Sequence, residues 1–217
     1  MSGRGNHYQR LIKSTLDWIE ENGNIPESVQ KLVDLTGLSE EQVRSCFPKA
    51  DALNVALIDH CVVLIADAMR QAMIHADPNN PKDQLQALSL AFFTWGEQNR
   101  PLFGILAKAL MDPKLASGSM LDMHRQSIRD LVMRKFKECQ MLGLIDTKAD
   151  LNLLLAMAHR GLLGISSMII YNSIDGWYDG EIRDVGQLSK RLAVMLLDQL
   201  IRSPSAMAEQ KPQSASA

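Results

Sequence analysis

Apolar residues recur every three or four positions along this chain, which is the spacing of one face of an α-helix. Leu11, Ile12, Leu16 and Ile19 begin the pattern, and Gly23 ends the first helix. No clean alternation of apolar and polar residues predicts a strand. The sequence therefore predicts an all-α fold of about nine helices, the later ones near 27–35, 39–47, 50–76, 82–99, 101–111, 121–142, 146–174 and 185–202.

Helix length and loop composition divide the chain into three parts. Residues 1–49 hold three short helices joined by tight turns and are predicted to form a head. Residues 50–203 hold about six longer helices and are predicted to form a bundle, because the fifth to eighth helices of the chain are too apolar to stand alone. Residues 204–217 contain Met207 as their only large apolar residue, which predicts a disordered tail.

The segment Thr36-Gly37-Leu38-Ser39 joins two short helices in a pattern typical of a helix-turn-helix. Gly37 permits a sharp turn. Ser39, with Gln42 three residues later, fits a capping box, in which each side chain bonds the backbone amide of the other residue. A helix with such a start can enter the major groove of DNA, although helical corners without this function share the spacing.

Apolar, serine and glycine positions of this region form one set: Leu11, Ile12, Leu16, Ile19, Gly23, Ser28, Val29, Leu32, Val33, Gly37, Leu38, Ser39, Phe47 and Leu53. In this spacing, residues 11–53 resemble the DNA-binding region of TetR-type transcriptional regulators. The resemblance implies a homodimeric, repressor-like protein with a ligand pocket in each C-terminal domain. The chain departs from the family pattern in the third helix, at Glu41, Gln42, Arg44 and Cys46, and at Ala50, where a lysine is usual.

The predicted DNA contacts are polar residues of the second and third helices together with two flanking cations. Gln42 can pair with adenine, and Arg44 can contact guanine or phosphate. Each residue has an alternative interpretation. For Gln42 it is a role in the cap alone, and for Arg44 it is an exposed cation without a role. The full set is Arg10, Ser28, Ser39, Gln42, Arg44, Ser45 and Lys49.

Charge argues for weak DNA binding by this head. Residues 1–53 carry six Lys and Arg against eight Asp and Glu, so their net charge is −2. Affinity for a duplex depends largely on phosphate neutralisation, so the cations must cluster, as Arg4, Arg10 and Lys13 can. Glu40 and Glu41 are interpreted as favouring the positive end of the third helix, with acceptance from cytosine as the alternative.

Several residues of the bundle are candidates for a pocket that binds a small apolar or amphipathic effector. Such pockets are lined by apolar and aromatic groups with a few polar ones. Two histidines on apolar flanks and an aromatic cluster fit this description, with ordinary core packing as the alternative. The predicted ligand-binding residues are Phe92, Trp95, His124, Ile128 and His159.

A dimer interface is predicted on the last two helices. Gly161 and Gly164 lie in mid-helix, where each glycine costs about 1 kcal/mol relative to alanine, which suggests a close approach of another helix. The last helix adds a broad apolar stripe, and two such helices from each subunit can form a four-helix interface. The predicted interface residues are Met157, Gly161, Gly164, Met168, Leu192, Met195 and Leu196.

Composition excludes several other classes of protein. Three scattered cysteines, without CxxC spacing, predict neither a disulfide framework nor a zinc site, and no cofactor is expected. The apolar run at 151–170 is interrupted by His159 and Arg160, so it is interpreted as a buried helix of a soluble cytoplasmic protein rather than a membrane span. There is no Gly-rich phosphate loop, GxSxG or HExxH motif, and no enzyme is predicted.

Two functions remain. The first is a ligand-responsive DNA-binding transcriptional regulator, predicted to be a repressor, in which an effector in the bundle alters the spacing of two recognition helices. The second is a helical dimer that binds a ligand or a protein but has lost specific DNA binding. The acidic head and the altered residues of the third helix motivate the second.

Overall fold

The computed structural model describes residues 2–48, 50–112, 114 and 120–201. These residues form α-helices without strands, which confirms the predicted fold class. Lys49 and the predicted tail at 204–217 lie outside the described residues. The helices are α1 (Ser2–Asn22), α2 (Val29–Thr36), α3 (Glu40–Cys46), α4 (Ala50–His75), α5 (Pro81–Gln98), α6 (Arg100–Met111), α7 (Leu121–Met141), α8 (Leu151–Tyr171) and α9 (Val185–Leu200).

Local capping decides where several helices begin and end. Gly37 ends α2 with a φ of 64°, in the left-handed region that favours glycine. Asp150 accepts hydrogen bonds from the amides of Asn152 and Leu153, so α8 begins at Leu151 and not at the predicted residue 146. At its other end α8 stops at Tyr171, because Asn172 adopts a left-handed conformation, three residues before the predicted end.

The chain forms two compact units. The first comprises the described residues up to Leu64 together with Gln98–His124, and the second comprises Ile65–Glu97 and the described residues from Arg125 onward. The described residues of the predicted head, 1–49, belong to the first unit, but that unit also includes the first part of α4 and all of α6.

The core of the first unit binds α1, α2 and α3 together. Leu11 and Val43 are fully buried there, and Leu57 of α4 joins the same apolar cluster. Tyr8 extends this packing toward the start of α1, with its ring centroid 5.5 Å from that of Phe47. This core fixes α3 against α1 by its Val43 side and thereby determines which α3 residues face outward.

The core of the second unit joins α5, α7, α8 and α9. Phe136 and Cys139 are fully buried in it, beside Leu85 and Leu197. Ion pairs brace its edge: Lys190 Nζ lies 2.9 Å from a Glu97 oxygen, and Lys82 Nζ lies 3.0 Å from Asp198. Helix α9 is therefore anchored to α5 at both of these points.

Candidate nucleic-acid interface

Helix α3 presents a polar face to solvent. Val43 has no exposed surface, whereas Glu41, Arg44 and Ser45 are exposed and Gln42 is partly exposed. At about 100° per residue, Glu41 and Ser45 stand opposite Val43, and Arg44 lies on one flank. The outward face needed for groove contacts is thus present on α3.

The capping box predicted at the start of α3 is confirmed. Ser39 Oγ accepts a hydrogen bond of 3.2 Å from the Gln42 amide, and Gln42 Oε1 accepts one of 2.9 Å from the Ser39 amide. Ser28 has a similar task at α2, where its Oγ accepts a bond of 3.1 Å from the Lys31 amide. Three of the predicted DNA contacts therefore also hold the helix-turn-helix together.

Arg44 is held by a carboxylate one turn before it. Its Nε donates a hydrogen bond of 2.8 Å to Glu40 Oε1, and its Nη2 lies 2.8 Å from the same oxygen. The next residue, Ser45, donates from its hydroxyl to the Gln42 carbonyl at 2.7 Å. The side chains of Glu40, Gln42, Arg44 and Ser45 thus each form a bond within α3 or its cap.

Few cations face outward in the described part of the head. Lys31 lies 4.0 Å from the centre of the Trp18 ring, and Arg44 is paired with Glu40. Arg10 is exposed. It lies beside the turn, since a Cβ added to Gly37 would be 3.6 Å from the Arg10 Nη2. Together with Lys13, these cations are outnumbered by the acidic residues of the same segment. The acidic residues are Asp17, Glu20, Glu21, Glu27, Asp34, Glu40 and Glu41.

Tyr8 is a residue of this region that sequence reasoning missed. Burial raises the pKa of its phenol, with further contributions from Asp59 and Cys46. Its ring rests on Phe47, immediately after the outward-facing helix. No sequence signal pointed to it, because it precedes the apolar spacing by which α1 was recognised.

The predicted ligand-binding residues have different environments. Trp95 is buried on α5, where Phe92, partly buried, meets the neighbouring Phe93 edge to face at 5.4 Å. Ile128 is partly buried on α7 of the same unit, whereas His124 belongs to the first unit. His159 is exposed on α8, so it does not have the buried position expected from its apolar neighbours.

Both histidines have a depressed pKa. Partial burial lowers the pKa of His124. For His159, which is exposed overall, desolvation of the ring by its neighbours is the largest cause, and the positive charges of Arg160 and Arg125 lower its pKa further. Each ring therefore favours the neutral form, which can both donate and accept a hydrogen bond.

The second unit also buries polar atoms that sequence periodicity did not reveal. Ser89 Oγ, Ser189 Oγ and Gln84 Oε1 are buried and have no hydrogen-bond partner among the described residues. A buried polar atom of this kind costs about 1–3 kcal/mol unless a water or ligand satisfies it. Two of these atoms belong to α5 and one to α9.

The predicted dimer residues separate into three groups. Gly161 faces Leu196 within the same chain so closely that an added Cβ would overlap the leucine Cδ2, and Leu196 packs on the core. Met157, Gly164 and Met195 are exposed instead, and Met168 and Leu192 are partly buried. Gly161 and Leu196 thus join α8 to α9 within the chain.

One face of α8 is exposed along its whole length, so the expectation of a buried helix was wrong. By length and composition alone, two helices in the described chain, at Ala52–His75 and Leu151–Tyr171, are apolar enough to cross a membrane. The exposed face of α8 nevertheless carries a charge at its middle. It consists of Leu153, Met157, Arg160, Gly164, Ser167 and Tyr171.

No group of three or more potential metal ligands occurs in the part of the chain that the structure describes.

Comparison with known proteins identifies the fold. Neither a protein-family model nor a curated protein matches the sequence. Among solved structures, a putative TetR-family regulator from Rhodococcus sp. is similar with a TM-score of 0.68 and 13% identity, covering 90% of this chain and 99% of that one. The TetR-family regulator PfmR from Thermus thermophilus gives a TM-score of 0.57 and 19% identity, covering 90% and 98%.

A third structure, FadR from Bacillus subtilis in complex with stearoyl-CoA, gives a TM-score of 0.64 and 15% identity, covering 88% and 97%. These matches confirm the resemblance at the level of fold: the chain has the architecture of TetR-type regulators, a helix-turn-helix head followed by a helical bundle. All three of these solved structures are described as transcriptional regulators.

Proposed function

We propose that this protein is a dimeric, ligand-responsive DNA-binding transcriptional regulator, acting in the cytoplasm as a repressor. The observation that carries the proposal is the outward polar face of α3, held on a capped helix-turn-helix by buried Val43. Two such heads, one from each subunit, would contact half-sites about one helical turn apart on a duplex.

The exposed stripe of α8 supports a dimer. Leu153 is 58% exposed and Met157 is 47% exposed, while Met195 of the adjoining α9 is 50% exposed. A second copy of the chain covers these apolar groups most economically, because identical stripes can pair about a two-fold axis. A bilayer is disfavoured, because the exposed Arg160 would lie near its centre at a cost of about 2.5 kcal/mol or more.

The effector is proposed to be amphipathic, with a long apolar part. FadR, whose structure contains stearoyl-CoA, shares the fold. In this chain α5 offers the aromatic residues Phe92 and Trp95, and the buried hydroxyls Ser89 and Ser189 offer polar contacts. Binding would regulate DNA affinity by changing the tilt of α4, which contributes residues to both units. The effector can regulate in this way only if its affinity for the DNA-binding conformation differs from its affinity for the conformation that releases DNA.

Fluorescence anisotropy with labelled duplexes tests the DNA-binding part. The duplexes are taken from the region upstream of the protein's own gene, and a shuffled duplex of equal composition serves as the control. Selective binding that weakens as salt rises from about 50 to 200 mM is expected, because bound phosphates release counterions. Equal affinity for both duplexes, or no binding at either salt concentration, would contradict the proposal.

Titration with stearoyl-CoA, against free coenzyme A as the control, tests the effector. Release of the duplex by the acylated compound alone is expected. Quenching of tryptophan fluorescence without release of the duplex would indicate binding that is not coupled to DNA. If neither compound changes the anisotropy or the fluorescence, the effector is not an acyl-CoA.

A second candidate function follows from the charges of the head. Its exposed anions outnumber its cations, and Arg44, the cation of α3, is already paired with Glu40. A helical dimer that binds a ligand or another protein through the same scaffold would have this surface. Recovery of one stable partner in a pull-down, together with absent duplex binding, would favour this function.

A further inference from the structure

The pairing of Arg44 leaves one defined edge of its guanidinium exposed. Glu40 Oε1 receives both Nε and Nη2, so the side edge of the group is occupied. An arginine has five N–H donors in a rigid plane, and three of them, on Nη1 and the outer side of Nη2, remain at the end of the fork. The side chain is 58% exposed on the flank of α3, and Glu40 does not occupy this end of it.

That end matches the major-groove edge of guanine. Guanine presents two acceptors, N7 and O6, and a bidentate pair with arginine is the commonest base-specific contact. A phosphate would also accept from arginine, but it needs no fixed orientation of the plane. Orientation is what Glu40 supplies, because an unpaired arginine on a surface helix would sample many rotamers.

We propose that α3 reads a guanine through the terminal Nη1–Nη2 edge of Arg44, and that Glu40 is a positioning residue that holds the guanidinium in the reading orientation. This inference rests on the proposed DNA-binding function and deepens it. It also gives the acidic start of α3 a role: Glu40 lowers total affinity for phosphates but raises the selectivity of the one cation on the outward face.

Glu41 provides a matched control. It lies in the same first turn of α3 as Glu40 and carries the same charge, but it faces directly outward, away from the side on which Arg44 meets Glu40. Replacing either glutamate with glutamine removes one negative charge near the duplex and weakens the favourable contact with the helix dipole equally. Only Glu40→Gln removes the support of Arg44.

The experiment begins with selection of bound sequences from a random 30-base-pair duplex library by the full-length wild-type protein. Anisotropy then measures each variant against the selected duplex and against derivatives with single G·C to A·T changes. The Arg44→Lys variant keeps the positive charge but loses the forked guanidinium. The base pair read by Arg44 is identified as the one at which this variant no longer distinguishes G·C from A·T. Wild-type discrimination there is expected to be about tenfold or more.

At that pair, Glu40→Gln is expected to reduce discrimination at least threefold while total affinity stays equal or increases. Glu41→Gln is expected to increase affinity with discrimination unchanged. Circular dichroism confirms that the variants are folded. Equal discrimination by wild type, Glu40→Gln and Glu41→Gln, or full discrimination by Arg44→Lys, overturns the inference alone. A wild-type protein that enriches no sequence overturns the proposed function itself.

Discussion

Alanine at either of two glycines in α8 is predicted to have opposite effects on stability. At Gly161, the new methyl group would overlap Leu196 Cδ2 and lie 3.3 Å from Leu196 Cδ1. At Gly164, one turn away, nothing lies within 4 Å of the added Cβ. The two substitutions are chemically identical and share one helix, so at concentrations low enough for the chain to be monomeric their difference isolates the contact between α8 and α9.

The magnitude follows from two opposing terms. Alanine is favoured over glycine in a helix by about 1 kcal/mol, and Gly164→Ala should gain this amount in full. Gly161→Ala gains the same term but overpacks the contact with Leu196, which costs about 1–3 kcal/mol. The variants should therefore differ by about 1–3 kcal/mol in free energy of unfolding. For a chain of this size, each kcal/mol shifts Tm by about 2–4 °C.

Thermal and urea unfolding of both variants, at several protein concentrations, measure this difference. The effect of Gly161→Ala should be independent of concentration, because its neighbour lies in the same chain. The effect of Gly164→Ala should vary with concentration, because Gly164 lies on the exposed stripe assigned to the dimer. A double variant, Gly161→Ala with Leu196→Ala, should recover part of the loss through a favourable coupling.

The reasoning is refuted if Gly161→Ala is as stable as Gly164→Ala, or more stable. It is also refuted if removal of the Leu196 side chain leaves the cost of Gly161→Ala unchanged, since the overlap would then have no part in it.

Three further predictions concern the helix-turn-helix and the histidines. Ser39→Ala removes the cap of α3 and should cost about 1 kcal/mol in urea unfolding, whereas an unchanged midpoint would rule out the cap as a stabilising contact. Gly37→Ala places a side chain at a φ of 64°, with an expected loss of about 1 kcal/mol or more, and Gly37→Asn should lose less; equal losses would contradict this. The pKa values of His124 and His159 are lowered on folding, so the folded state binds protons less readily than the unfolded state. The contribution of these histidines to stability is therefore full above about pH 6.5 and is lost as pH falls through the depressed pKa values. His124→Gln and His159→Gln should each reduce the loss of stability between about pH 7.5 and pH 5.5; a loss equal to that of wild type would exclude the histidine as its source.

Sequence signals of short range predicted the local structure of the head well. Ser39, Gln42 and Gly37 act through bonds and dihedrals within a few residues, so their types and spacing suffice to specify the capping box and the turn. Asp150 was an equally local signal, and it begins α8 at Leu151. The predicted start at residue 146 came from apolar spacing, which does not register a cap.

Features that depend on packing between helices were less accessible to the sequence. Apolar spacing placed His159 on an apolar flank of α8, but spacing does not tell whether that flank faces the core or solvent, and the structure exposes it. In the same way, a mid-helix glycine indicates a close approach without naming the neighbour. For Gly161 the neighbour is Leu196 of the same chain, whereas Gly164 has open space beside it.

The site on α3 was predicted less completely than the local caps and turns, but better than the packing between helices. The spacing of Glu40 and Arg44, one turn apart, allowed an ion pair, but only the geometry establishes that Nε and Nη2 share one oxygen. The exposed group of dimer residues, Met157, Gly164 and Met195, stays a prediction about a partner.

Hydroxyl-radical footprinting of a selected duplex tests the central claim most directly, namely that two outward α3 helices enter one duplex together. Two protected stretches, with centres about 10–10.5 base pairs apart or a multiple of that distance, are predicted. Protection of both should disappear in the Arg44→Ala variant. A single protected stretch, or two that persist unchanged in that variant, would contradict the account.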